Sequence, residues 1–381
     1  MSYLFKTFLR IGSISWGGHF SLISLVRKRV VVQDRVVSDD FIVESVSLAS
    51  ILPGPTAVNI VTYLGYRLRG WKGAVVSATA VLLPAFISLL ILSYFYFRNP
   101  HVMACKAFFH GIMPAVASVI FSTGISMVKK SRLDCFQWLL LLATIVLFYY
   151  IRGYFTSLGL IMAGMLIGLL LYKKNEATAS VIRKNRSMRQ LFRMSSICIA
   201  LFVLVFAISS SILKALEMQF AFISLSQVGG GYVVIPSMEK IFVNSLHWLS
   251  HQEFVDGIGL SQITPGPIFI IAGFVGFKME GVLGCILSTI TVYFPSALLM
   301  IIVGGLFGKV QDLRWVKAMF KGIHPVVIGM VFSSALQMLA KNGFSLIVVL
   351  LFILALFCLM KTKIPSAFIL ISMGILGFFL F

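Results

Sequence analysis

The chain has 381 residues, of which 59% are hydrophobic and 12% charged, with a mean hydropathy of +1.00. No soluble domain of this length is so apolar, so the composition points to an all-α polytopic membrane protein embedded in a lipid bilayer. Its 32 Lys and Arg against 12 Asp and Glu give a net charge of +20. Because these cations crowd into short loops, the excess reads as positive-inside topology and excludes nucleic acid as the partner; a cationic vestibule for an anion is the other reading.

The first apolar element runs from about Tyr3 to Val26 and is interrupted at Trp16-Gly17-Gly18. Lys6 and Arg10 precede the interruption, no small-residue cleavage site follows, and the segment is expected to be retained. After Arg27, Lys28, Arg29 and Arg35, a second element spans about Phe41 to Tyr66 and contains Pro53-Gly54-Pro55. Apolar runs near 73–97, 107–128, 136–151 and 155–172 follow, and the polar, basic stretch 173–193 is the linker. A run at about 194–213 has no partner in the first half.

Then the pattern begins again. Gly17-Gly18 matches Gly229-Gly230 and Pro53-Gly54-Pro55 matches Pro265-Gly266-Pro267, both at an offset of 212. Gly65, Gly70, Gly73, Pro84, Gly111 and Pro114 match Gly276, Gly281, Gly284, Pro295, Gly322 and Pro325 at 211. The general abundance of Gly and Pro in membrane helices does not explain their shared order. The division is a first repeat at 1–172, a linker with an unpaired helix at 173–215, and a second repeat at 216–381. About 13 membrane elements are expected.

The loops rich in Lys and Arg in the first half (27–35, 67–72, 129–132) have sparse or mixed counterparts in the second, where Lys309 to Lys321 and Lys361 to Lys363 are rich instead. If basic loops are cytoplasmic, the repeats are inverted, with the N-terminus cytoplasmic and the C-terminus external. The segment around Pro53-Gly54-Pro55 is then either a hairpin entering and leaving on one side or a full crossing with a broken middle. Prolines around a glycine cannot continue a helix, and in hydrocarbon such a break survives only when buried or lining a wet cavity.

A helix restarting after each break presents unpaired N–H groups and a positive dipole end, which suits an anion. Pro55 and Pro267 are expected at the first positions of those helices. Ser50, Thr56, Asn59, Gln262 and Thr264 would supply side-chain donors, and Gly17, Gly18, Gly229 and Gly230 would let backbone approach the cavity; close helix packing is the other use for these glycines. Glu44 and Asp256 each stand nine residues before the first proline of their motif. They are candidates for proton coupling; the other reading, acids near a helix N-terminus at the membrane surface, needs no function. His19 and His324 lie near breaks and are able to titrate. The five cysteines are dispersed and suggest neither disulfides nor a metal site. No nucleotide loop or nucleophile–base set is visible, so no enzyme activity and no cofactor are expected.

At these residues the chain resembles the chromate ion transporter family. The resemblance rests on Trp16-Gly17-Gly18-His19 and Leu52-Pro53-Gly54-Pro55 in the first half. In the second half it rests on Gly229-Gly230-Gly231 with Pro236 and Glu239, Ser250, Glu253 and Asp256, and Gln262 with Pro265-Gly266-Pro267. The first half departs from the family pattern at Trp16, His19, Leu22, Ser50 and Asn59. The resemblance implies secondary active export of chromate, with proton or sulfate exchange. An anion channel, a carrier of another anion such as sulfate, a non-transporting membrane subunit or lipid-handling protein, and a homodimer all remain open at this point.

Overall fold

A computed structural model describes residues 1–15, 18–98, 106–131, 133–151, 156–172, 188–226, 234–307, 314–341, 345–362 and 364–380. These residues form fifteen α-helices and no strand. The first repeat contains α1 (Ser2–Ile14), α2 (Gly18–Arg27) with a π-helical turn at Lys28–Gln33, α3 (Asp39–Ile51), α4 (Thr56–Arg98), α5 (Lys106–Lys130), α6 (Cys135–Tyr150) and α7 (Thr156–Tyr172). The unpaired helix is α8 (Met188–Ile208). The second repeat contains α9 (Ser211–Ser226), α10 (Val234–Glu239) with a π turn at Lys240–Ser245, α11 (His251–Ile263), α12 (Ile271–Phe307) after a 3-10 turn at Ile268–Ile270, α13 (Arg314–Lys341), α14 (Leu346–Lys361) and α15 (Ser366–Leu380). Among the described residues, four stretches are long and apolar enough to cross a membrane: Thr56–Arg98, His110–Lys129, Ile268–Gly304 and Lys317–Ala340. The protein is a multi-pass membrane protein.

The repetition extends to backbone detail. Each π turn closes with paired bonds, Asp34 N–H to Arg29 O and Val36 N–H to Val30 O in one repeat, Leu246 N–H to Ile241 O and Trp248 N–H to Phe242 O in the other. Arg35 (φ 51°) and His247 (φ 52°) then take the same left-handed conformation. Ser38 and Ser250 cap α3 and α11, accepting from Phe41 N–H and Glu253 N–H. In return Ser250 N–H donates to Glu253 Oε2 at 2.8 Å, completing a capping box.

Both α4 and α12 are folded into two limbs. Their backbones leave helical geometry at Arg69-Gly70 and at Glu280-Gly281, where the glycines have φ of 64° and 57°. A Cβ on Gly65 would strike the Gly73 backbone and one on Gly276 the Gly284 backbone. Eight residues of straight helix would separate those positions by about 12 Å, so the chain has reversed. The matched glycines thus build a tight turn between helices.

Packing crosses the repeats. The second limbs of α4 and α12 pack together, as do α5 and α13. Beyond these pairs the repeats exchange helices: α6 and α7 pack on α13, while α14 and α15 pack on α5. Small residues permit the close crossings, with Gly111 against Gly377 and Gly322 against Gly164 and Gly168. Each repeat therefore buries part of its apolar surface only in the presence of the other.

Candidate functional site

The two Pro-Gly-Pro segments are the tips of hairpins. Phe41, at the start of α3, stacks on Tyr63, late in the first limb of α4, with ring centroids 5.5 Å apart. A straight helix would separate these residues by about 33 Å. In the second repeat the corresponding clasp is ionic: Lys278 Nζ lies 2.6 Å from Glu253 Oε1. Both hairpins point their proline-flanked tips into the protein.

Each tip docks on the other repeat's long helix just after its internal proline. Gly54 (φ 97°) rests on Ser296, which follows Pro295, and 3.1 Å would separate its added Cβ from Ser224 O. Gly266 (φ 132°) rests on Ala85, which follows Pro84, and its N–H donates to Ser15 O at 3.1 Å. Ala85 and Ser296 are related by the same offset of 211 that relates the two prolines. A side chain at either glycine would meet both the positive φ and the facing helix, so the tips demand glycine twice over.

The local chemistry differs from the expectation in one respect. Pro55 and Pro267 stand one place earlier than the first helical position: Asn59 N–H donates to Pro55 O at 3.0 Å, and Pro267 caps the 3-10 turn at φ −81°, ψ 143°. As N-caps their carbonyls accept the first bonds, and the first free N–H groups belong to Thr56 and Ala57 in one repeat. Thr56 is buried, and neither its N–H nor its hydroxyl has a hydrogen-bond partner among the described residues.

Asn59 is spent on structure. Its Nδ2 donates to Pro53 O at 3.2 Å, closing the tip, and its Oδ1 accepts from Ser296 Oγ at 3.3 Å. Thr264 Oγ1 likewise donates back to Ser261 O, at 2.9 Å. Gln262 is buried just before the second tip and is engaged. Gly18 begins α2, while Gly17, Gly229 and Gly230 lie outside the described residues, as does the detail of the Ser50 side chain. Ser15 was not singled out from sequence. Its Oγ is fully buried without a partner among the described residues, beside the carbonyl that takes Gly266 N–H. Its place just before the Gly17-Gly18 interruption was the available signal.

The two acids differ in setting. Asp256 is 2% exposed and accepts from Tyr96 Oη at 2.6 Å and Gln252 Nε2 at 2.8 Å. Tyr96 comes from the far end of α4, so this carboxylate ties hairpin two to the first repeat. Glu44 is half-buried and interacts electrostatically with Tyr63 of its own hairpin. His324 faces Ser131 Oγ at 3.3 Å, away from the tips. Among the described residues no group of three His, Cys, Asp or Glu is placed to hold a metal. An apolar groove of about 590 Å³ between the second limbs of α4 and α12 is lined by Leu82, Phe86, Ile290 and Phe294 among others. That lining is mostly apolar and suits hydrocarbon better than a dianion.

The hairpins are also packed differently. Beyond its own hairpin, α11 lies against α5 and α15, and Phe220, Phe254 and Ile258 belong to the main core. Its counterpart α3 packs on α4 and α12 and has no comparable contact with α13 or α7 among the described residues. Phe8, Ile42, Leu48 and Leu64 form a separate core with α1 and α2.

Comparison with known proteins agrees with the doubled pattern. The chromate transporter family profile matches residues 2–169 and again 214–378. A chromate transport protein of Pseudomonas aeruginosa is 26% identical over 352 residues, covering 89% of this chain and 81% of that protein. An uncharacterized transporter of Methanocaldococcus jannaschii is 27% identical over 379 residues, 98% of this chain and 93% of that protein. An uncharacterized transporter of Bacillus subtilis matches only 29% of this chain, at 34% identity, and 55% of its own length. No solved structure matches. With two copies of the profile spanning most of its length and a hairpin tip in each, this chain belongs to the chromate transporter family.

Proposed function

We propose that the protein is a secondary carrier of tetrahedral oxyanions, exporting chromate across a membrane in exchange for sulfate or protons. The observation that carries the reading is the unequal packing of two equivalent hairpins: hairpin two is engaged with the α5/α13 bundle while hairpin one stands apart from it. In a duplicated carrier the two ends of an alternating-access cycle are related by exchanging the roles of the repeats. The swap of basic loops between the halves supports an inverted arrangement, which makes that exchange a switch of sides. Each hairpin then enters and leaves on a single face, the two on opposite faces, with their tips near the middle of the membrane.

The substrate would sit between the tips. Thr56 N–H, Ala57 N–H and the Thr56 hydroxyl offer donors at the dipole-positive start of a helix, and Ser15 Oγ offers another beside the second tip. Asn59, Pro53, Pro55, Pro265 and Pro267 hold the tips in shape, and Gln262 supports the second. Coupling would run through Asp256 and Glu44. The acid of the engaged hairpin is sealed by Tyr96 and Gln252, and that of the detached hairpin is open to protons from its own side. Exchange of the hairpin roles would exchange their access.

The test is uptake of radiolabelled chromate, and sulfate in parallel, into liposomes holding the purified protein. Saturable uptake that speeds up with preloaded anion or an imposed pH gradient is the expected outcome. Uptake that follows voltage and ignores both would mark a channel, and no uptake of either anion would remove the substrate assignment.

A further inference from the structure

A cleft of about 400 Å³ lies outside the tips, between α1 and the π turn after α2. Its polar lining is Lys6, Thr7, Arg10, Lys28, Arg29 and Gln33; Ile11, Ile14 and Leu25 form the apolar remainder. Lys6 and Arg10 are four residues apart on one helix, so they share a face. The π turn delivers Lys28 and Arg29 from the opposite wall.

The acids described nearby, Asp34 and Asp39, do not neutralise this cluster. Asp34 is taken by Arg29, with Nε 3.0 Å from Oδ2, and by Tyr3 Oη at 2.5 Å. Arg29 Nη1 also donates to Gln33 Oε1 at 3.2 Å. Asp39 is taken by Arg27, which does not line the cleft. Lys6, Arg10 and Lys28 consequently have no ion-pair partner among the described side chains. Like charges gathered in one cleft repel, and a bound anion relieves the repulsion while gaining several charge-assisted hydrogen bonds. Of the three unpaired cations, only Lys28 has a basic counterpart in the second repeat, Lys240. The offset of 212 that superposes the buried Leu4, Phe8 and Ile11 on Leu216, Phe220 and Ile223 puts Met218 at Lys6, Phe222 at Arg10 and Ile241 at Arg29.

We infer that this cleft binds a phosphate-type oxyanion group, with Lys6, Arg10 and Lys28 as its charge partners. Two sources carry that chemistry: the headgroup of an anionic phospholipid, whose glycerol and upper chain would rest on Ile11, Ile14 and Leu25, and a free inorganic oxyanion. The site is independent of the transport reading, because none of its residues touches a tip.

The experiment measures thermal stabilisation of the full-length protein in nanodiscs. One arm compares phosphatidylglycerol with phosphatidylcholine. The other adds inorganic phosphate, against chloride of equal ionic strength, in phosphatidylcholine alone. K6Q/R10Q is compared with wild type, and K28Q serves as a milder variant should the double change fold poorly. A Thr56→Ala variant, altered at a tip, is the control in the lipid arm and is expected to keep the wild-type response there. At roughly fivefold in affinity per cation, the double variant is expected to bind about 25-fold more weakly. Loss of the response in the lipid arm assigns a headgroup; loss in the phosphate arm assigns a free oxyanion. Equal responses of wild type, K6Q/R10Q and K28Q in both arms would overturn the site.

Discussion

The two repeats share a backbone and differ in what they attach to it. Both have the π turn, the left-handed residue after it, the serine cap, the Pro-Gly-Pro tip and the reversal at Gly70 or Gly281. Yet repeat one clasps its hairpin with Phe41 on Tyr63 and repeat two with Lys278 and Glu253. Repeat one carries the cationic cleft, where repeat two has Met218 and Phe222. Repeat two seals its acid against Tyr96, while Glu44 stays half-buried. The lesson is that backbone devices preserve the hairpin, and side chains have been free to specialise the two ends.

The tips give the sharpest way to break this comparison. Gly54→Ala adds a Cβ at positive φ against Ser296 and the Ser224 backbone; Gly266→Ala meets only the Ala85 side chain, at 2.8 Å. Strain and overpacking together should cost about 2–5 kcal/mol at Gly54 and less at Gly266. Thermal unfolding in detergent checks the order, and equal losses would mean that the tips are not docked as described.

A smaller difference is expected at the acids. Asp256→Asn removes the charged acceptor of two hydrogen bonds and should cost roughly 1.5–3 kcal/mol, whereas Glu44→Gln should change stability little. In flux assays both should blunt the response to a pH gradient, since each acid serves one end of the cycle. A pH response untouched by either variant would remove them from coupling. The smallest effect belongs to the exposed side of the clasp. Lys278→Gln should cost under about 1 kcal/mol, and the loss should shrink at high salt.

Much of the hairpin was legible because Gly and Pro report backbone demands directly. The order of Gly65, Gly70, Gly73 and Pro84 is the order of a close approach, a reversal and a docking point, and it recurs in the second half. What the prolines dock against was not legible, since Ala85 and Ser296 carry no signal of their own. The exchange of α6–α7 and α14–α15 between repeats was hidden for a related reason: periodicity gives the apolar face of a helix but not its partner. Tyr96, Ser15 and the Lys6–Arg10 pair were overlooked similarly, each meaning little until a residue far along the chain is beside it. The shift of Pro55 and Pro267 by one place, to caps, shows in the bonds that Asn59 N–H makes to Pro55 O and Ile270 N–H to Pro267 O.

The central claim, that the hairpins exchange roles, is best tested by pairs of spin labels in a cysteine-free background. One pair joins α3 to α13 and the other joins α11 to α5. Without substrate, the first distance should be long and the second short. With chromate and a pH gradient, the first should gain a shorter population as the second gains a longer one. Two distances that stay fixed while the same preparation transports would contradict the exchange.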